Sequence, residues 1–190
     1  GLGIFTFKSG NVTVTEAGVP LLRSGSAFRM YAQASDAGSI RTGVAIANLS
    51  SSSATVDFEL TTLSGIPLGV TGSVVIPGDG QMATFLEQIS GFSSLPSPFQ
   101  GLLRFSSNAP ISAVGLRGRV NERGDFLITT TTPVDEELPV ASLPVFLPHF
   151  VEGGGYSTEF ILFSGSAGQS STGRIEFYGQ AGQVLNLPLK

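Results

Sequence analysis

From Arg41 to Thr61 the chain reads RTGVAIANLSSSSATVDFELT, a small apolar run, four serines, then Val56, Phe58 and Leu60 alternating with Asp57 and Glu59. Alternation with period two places the apolar side chains on one face of a strand and the carboxylates on the other. Two such runs joined by a short polar loop predict a β-hairpin with one face to bury. The same logic carries along most of the chain. Ile4, Phe5 and Phe7, the turn Ser9-Gly10-Asn11, and Val12 to Thr15 predict an opening hairpin. Gly18 to Gly25 connects it to a strand in which Phe28, Met30 and Ala32 alternate with Arg29, Tyr31 and Gln33. Val74 and Ile76 mark a further strand ending at Pro77.

Thr84 to Ser90 (TFLEQIS) has the spacing of a short helix stopped by Gly91. Phe99 to Ser106 and Ile111 to Val120 read as two strands joined by Asn108-Ala109-Pro110, and Phe126 to Thr132 closes that sheet. In the second of these, a core face made by Val114, Leu116 and Val120 would turn Arg117 and Arg119 outward, beside Arg104. Residues 135–144, proline-rich and acidic, read as a stiff extended linker.

The pattern repeats. Tyr156 to Phe163 followed by Gly173 to Tyr178 has the design of the Arg41–Thr61 hairpin, with Thr158 matching Thr42 and Ile175-Glu176-Phe177 matching Val56-Asp57-Phe58. Val12 to Pro20 (VTVTEAGVP) in turn parallels Leu127 to Val134 (LITTTTPV). The expectation is an all-β protein of tandem antiparallel, immunoglobulin-like β-sandwiches, one complete and one smaller or incomplete, with at most one short helix. Residues 27–134 would form the complete module and 145–190 the first half of another. Residues 1–26 would complete that second sandwich, or a neighbouring molecule.

Composition narrows the chemistry. Charged residues make up 13% of the chain, against about 25% in a typical soluble domain, while the Val, Ile, Leu and Phe content is ample for a core. A net charge of −4 argues against nucleic acid, and Lys8 and Lys190 are the only lysines, so no polybasic membrane patch exists. No apolar run is long enough to span a bilayer as a helix. The absence of cysteine excludes disulfides, thiolate metal sites and a Cys nucleophile. The chain opens at Gly1 within a strand pattern and is read as a processed piece of something longer.

TGVAIANLSSSSATVDFEL, FQGLLRFSSNAPISAVGLR and NERGDFLITT, with FTFKSGNVTVTEAGVP and LPHFVEGGGYSTEFILFSG, resemble uncharacterised β-sandwich repeat modules of large secreted bacterial surface proteins. That resemblance covers most of the chain. It implies export and a sandwich fold, and it carries no catalytic or ligand-binding residue across.

Each candidate site has a plainer alternative. Arg123-Gly124-Asp125 sits where an integrin ligand would be displayed, but equally makes a charged hairpin tip. Arg104, Arg117 and Arg119 would serve as a docking or glycan patch, or as outward arginines paired locally. His149, the single histidine, has no nucleophile or acid beside it in sequence. Asp135, Glu136, Glu137, Asp79 and Glu152 are hard-oxygen candidates for calcium without the spacing of a known loop. Tyr31, Tyr156 and Tyr178 are the aromatic contacts a glycan would use in a chain without tryptophan. Asn11-Val-Thr and Asn48-Leu-Ser match the N-glycosylation acceptor pattern. No catalytic residue, metal ligand set or cofactor emerges.

The expected function is therefore that of a non-enzymatic, extracellular or cell-surface structural protein that associates with itself or with neighbouring modules. Ile4, Phe5, Phe7, Val12 and Val14 form its strand-addition interface. The competing expectation is a carbohydrate-binding or adhesion module of a larger secreted protein.

Overall fold

Alternation sets the strands, and turn residues that accept positive φ set their ends. In the computed structural model, which describes residues 1–139, 144–164 and 172–187, twelve strands follow one another with no α-helix among the described residues. β1 (Leu2–Ser9) and β2 (Val12–Pro20) form the opening hairpin, turning at Gly10 with φ 59°. β3 (Gly25–Ala34), β4 (Ile40–Asn48), β5 (Ala54–Thr61), β6 (Pro67–Ile76), β7 (Gln81–Phe85), β8 (Phe99–Val120) and β9 (Phe126–Thr131) make the main body. The short strands are β10 (Val134–Asp135), β11 (Phe177–Tyr178) and β12 (Val184–Leu185).

β8 organises the body. Where the sequence suggests two strands broken at Asn108-Ala109-Pro110, the chain keeps pairing through one 22-residue strand. Its first half pairs with β3 on one side and β5 on the other. Its second half pairs with β4 and β9. One layer is thus β10-β3-β8-β5-β6 and the other β9-β8-β4-β7, all antiparallel, which is a β-sandwich sharing a strand between its sheets.

The core lies between those layers. Phe28, Phe105 and Phe58 stand on neighbouring strands with ring centroids 5.4 Å and 5.9 Å apart, and Met30, Leu103 and Leu60 form the next row. Val44, Ile46, Ile111 and Ala113 meet them from the opposite sheet. Each large side chain buried here contributes about 1.5–3 kcal/mol relative to exposure. Thr84 to Ser90 is not an α-helix. β7 runs to Phe85, and the chain then makes two 3₁₀ turns, Leu86–Gln88 and Phe92–Ser94. Gly91 joins them at φ 95°, with the backbone of Thr71 too close for any Cβ. Those turns drive Leu86, Ile89 and Phe92 into the core, where Phe92 meets Phe58 edge to face.

Side-chain parity in the second half of β8 is the reverse of the expectation. Ile111 and Ala113 belong to the core cluster, whereas Val114 and Leu116 are buried outside it. The reason is crowding. A Cβ on Gly115 would strike Met30 and Thr131, so only small residues fit between the sheets at that point.

Two segment boundaries also move. Residues 135–137 are part of the first sandwich, because β10 pairs with Arg29 and Phe28 of β3 and the Glu136 amide donates to the Ala27 carbonyl. The opening hairpin is anchored on β9 of that same sandwich rather than on the C-terminal ribbon. Beyond residue 144 the described chain is sparsely paired. β11 pairs with β12, and Gly153 bridges to Tyr156, but Tyr156 to Phe163 carries no ladder with residues 173–178. Phe150 and Phe160 pack against Phe177 at 5.1 Å and 5.7 Å. The linker residues 140–143 and the loop residues 165–171 lie outside the described residues.

Candidate functional site

The ladder sets one polar row on the outer face of the first sheet. Arg29 on β3, Arg104 on β8 and Glu59 on β5 are directly opposite one another. Two arginines side by side on a sheet repel each other and need a counter-charge. Glu136, delivered by the chain just after β10, supplies it. Arg104 donates from Nε to Oε1 at 2.9 Å and from a terminal nitrogen to Oε2 at 2.8 Å, a bidentate pairing, while Arg29 Nε lies 3.5 Å from Oε1. Glu59 approaches Arg104 at 3.5 Å. The Glu136 side chain is only 9% exposed and that of Arg29 5%, so water screens this group little. Hydrogen bonding to Glu136, ahead of its charge and that of Glu59, raises the Arg104 guanidinium pKa above its ordinary value against the opposing effect of burial. Arg29 reaches further, donating to the Ser164 carbonyl, with its guanidinium 5.9 Å from the Phe163 ring. Arg29, held by Glu136, therefore ties the first sandwich to the segment that follows.

A second feature is a threonine hydroxyl used in place of a strand. Thr42 Oγ1 accepts from the Gln33 N–H at 2.8 Å and donates to the Gln33 carbonyl at 2.9 Å. Thr158 does the same with Val151, at 3.0 Å and 2.8 Å. Thr15 on β2 does it with Ile128 on β9, both bonds at 3.2 Å. Each hydroxyl satisfies the N–H and the carbonyl of one residue, Gln33 on β3, Ile128 on β9 and Val151 outside any strand. The Thr130 hydroxyl adds a bond to the Gly18 carbonyl. Ile128 and Thr130 follow Thr15 and Gly18 in the same order, so β2 and β9 run side by side in the same direction.

These contacts divide the strand-addition residues. Phe5, opposite the buried Ala17, and Val14 are half-buried, whereas Ile4 at 68%, Phe7 at 52% and Val12 at 66% exposure present apolar surface to solvent. β1 pairs with β2 alone, and its other edge carries no ladder among the described residues.

The arginine patch does not assemble. Arg104 is held in the first sheet by Glu136 and Glu59, while Arg117 and Arg119 pair with Thr42 and Ile40 in the second. Following the inverted parity, Arg117 points toward β3 and donates to the Gln33 side chain at 3.0 Å. Arg119 pairs with Glu122 at 2.8 Å, at the surface. The Glu122 pKa is held below the ordinary value by the residue's own backbone N–H first and then by Arg119.

The tyrosines sit on separate elements. Tyr31 on β3 accepts from Gln100, Tyr156 lies in the Gly153 turn, and Tyr178 on β11 donates to Glu176 at 2.6 Å, which raises its phenol pKa. Arg123-Gly124-Asp125 is the tip between β8 and β9. There Asn121 Oδ1 accepts from the backbone of both Arg123 and Asp125, and Arg123 folds back to 3.4 Å from Asp125. Its carboxylate is thus engaged within its own turn. His149 is exposed.

The carboxylates proposed for calcium are dispersed or occupied. Glu136 is taken by arginines, and Glu137 accepts from the hydroxyl and then the backbone of Ser26, which lowers its pKa. Asp135 accepts from the Glu137 amide. No cluster of three or more metal-ligating residues occurs among the described residues. Asn48, in the second glycosylation motif, is 2% exposed and donates to the carbonyls of Ser52, Ile76 and Pro77. It is a turn-locking residue and not an acceptor in the folded chain.

Sequence reading missed the threonine clamps and the Glu136 counter-ion. The signal for the second was present, since Arg29, Arg104 and Glu59 all occupy polar positions of alternating strands. Only the register brings them into one row.

No family model and no curated protein matches the chain. Among solved structures, it is similar to the crystal structure of Thermotoga maritima 1070, at 16% identity and TM-score 0.48, over 61% of this chain and 98% of that one. It is also similar to the Anabaena sensory rhodopsin transducer, at 15% identity and TM-score 0.42, over 50% of this chain and 97% of that one.

Proposed function

We propose that this protein is a non-enzymatic structural component of the cell exterior, made of β-sandwich modules in series that associate by strand addition across module boundaries. The observation that carries this reading is the in-register approach of β2 to β9. Thr15 bonds to Ile128, 113 residues later, and Gly18 to Thr130, 112 residues later, while the prolines of the two matching sequence stretches, Pro20 and Pro133, are also 113 residues apart. Two strands of like sequence, one repeat apart and lying side by side, are what modules packed on their neighbours would produce. The recurrence of the Thr42–Gln33 clamp as Thr158–Val151 supports the same reading. So do the low charge and the exposed apolar residues on β1.

The test is light scattering coupled to size exclusion, on the full chain and on a chain lacking residues 1–20. Concentration-dependent association that the deletion abolishes is the expected result. Monomers of equal stability in both cases refute the proposal.

A second reading, carbohydrate binding, is favoured by an open trough of about 590 Å³ over β5, β6 and β8, lined by Asp57, Glu59, Thr71, Ser73 and Arg104. Saturable binding on a glycan array, lost in an Asp57→Ala variant, would select it.

A further inference from the structure

The free edge of β1 has a definite counterpart within the complete sandwich. There the closing strands run in the order β9-β8-β4, so that β8 receives β9 on one edge and β4 on the other. Placing Thr15 on Ile128 and Pro20 on Pro133 aligns β2 with β9, and the ladders then align β1 with the second half of β8. Thr6 is opposite Glu16 as Arg117 is opposite Thr129. β1 therefore has its β9-like neighbour in β2, while the position that β4 fills beside β8 is open. The sequence stretch matching β4 is Tyr156 to Phe163, with Thr158 in the place of Thr42. Residues 157–164 carry no strand pairing.

Building on the proposed assembly role, we infer that the outer edge of β1 receives residues 156–163 of a second copy as an antiparallel strand. The register follows from the ladder in hand. Thr42 pairs with Arg117, so Thr158 faces Thr6, Ser157 faces Phe7, Glu159 faces Phe5 and Phe160 faces Ile4. Ile4, 68% exposed, then meets an apolar partner in Phe160. The new ladder continues the existing β1–β2 ladder by one strand, as strand addition requires. A second copy, rather than the same chain, is the occupant because the two segments sit on different sheets of one body. The hairpin is bonded to β9 of the second sheet, whereas Phe163 and Ser164 are held by Arg29 of the first.

The absence of cysteine makes the test direct. Phe7→Cys and Ser157→Cys are prepared as separate variants of the full chain, mixed, and oxidised mildly, and the disulfide-linked dimer is measured on a non-reducing gel. A cross-strand disulfide needs Cα atoms about 4.4–6.8 Å apart. A Gly3→Cys plus Ser157→Cys mixture, displaced by four residues or roughly 13 Å, is the off-register control. The inferred register gives at least a tenfold excess of cross-linked dimer over this control, and Phe5→Cys with Glu159→Cys reproduces it should the first pair fold poorly. Equal yields from register and control pairs, in a protein that light scattering shows to associate, overturn the inference while leaving the assembly role standing. A Phe7→Cys/Ser157→Cys double variant that closes within one chain at high dilution overturns the second copy as partner. No cross-link in a protein that stays monomeric removes the inference and the assembly role together.

Discussion

Replacing Glu136 by Gln keeps the shape of the side chain and removes its charge from between two arginines. The loss can be bracketed from the surroundings. Removing one partner of a buried pair costs about 3–5 kcal/mol, because the other charge stays desolvated, while an exposed pair is worth about 0–1 kcal/mol. The Arg29 side chain, 5% exposed, belongs to the first class, but the Ser164 carbonyl also accepts from it. That of Arg104, 37% exposed with Glu59 at 3.5 Å, is nearer the second. An amide at position 136 also aims an N–H at a guanidinium donor where a carboxylate oxygen accepted. Glu136→Gln should therefore destabilise the first sandwich by about 2–3 kcal/mol, a drop in midpoint of roughly 4–12 °C for a chain of this size. Thermal and urea unfolding followed by far-UV circular dichroism measures it. Hydrogen exchange localises it, since the Glu136 amide bonded to the Ala27 carbonyl should lose protection before the β3–β8 ladder does. A double-mutant cycle with Arg104→Met isolates the pair, with a coupling of about 1–2 kcal/mol expected. A change below 0.5 kcal/mol, or a loss equal to that of the more exposed Glu59→Gln, would refute the claim that Glu136 is the counter-ion of both arginines.

Thr42→Val removes the hydroxyl that serves both the N–H and the carbonyl of half-buried Gln33, and should cost about 1–2 kcal/mol in urea unfolding; Thr158→Val, against exposed Val151, should change the midpoint far less. Gly101→Ala places a Cβ against the Thr61 carbonyl and the Phe99 ring, an overpacking expected to cost about 1–3 kcal/mol. Ser26→Ala should raise the Glu137 pKa toward the ordinary carboxylate value in an NMR titration. Because that pKa is depressed in the folded chain, the stabilisation is present at neutral pH and is lost as pH falls below about 4.5, the ordinary value, and through the folded one. In a glycosylating host, mass spectrometry should find Asn48 unmodified, since its amide is bonded within the β4–β5 turn.

The strands were legible because alternation is a local signal. Val56, Phe58 and Leu60, or Phe28, Met30 and Ala32, announce both the strand and its buried face from their spacing alone, and the structure buries all six. The second half of β8 was misread for a related reason. Val114 and Leu116 are the large residues, so pattern alone assigns them to the core; yet the sheets approach so closely that Gly115 and Ala113 must face inward, and the larger pair is buried on the other side. A strand buried on both faces carries no alternation to decode, and Arg117 then appears to point out when it reaches Gln33.

The surfaces that bear on assembly were illegible for a different reason, which is that each depends on register between distant segments. Nothing in the residues around Arg29, Glu59, Arg104 or Glu136 says that they share one row; the ladders of β3, β5 and β8 and the pairing of β10 place them there. The threonine clamps hide in the same way. Thr15, Thr42 and Thr158 look like ordinary β-branched strand residues, and one hydroxyl can replace a strand only where a neighbouring backbone edge stands open at the right height. That condition is a matter of hydrogen-bond geometry, which composition does not record. Side chains facing a core can be exchanged for others of similar size. A hydroxyl that closes an N–H and a C=O at once has few substitutes, and Thr42 and Thr158 make the same pair of bonds although the first stands on β4 and the second outside any strand.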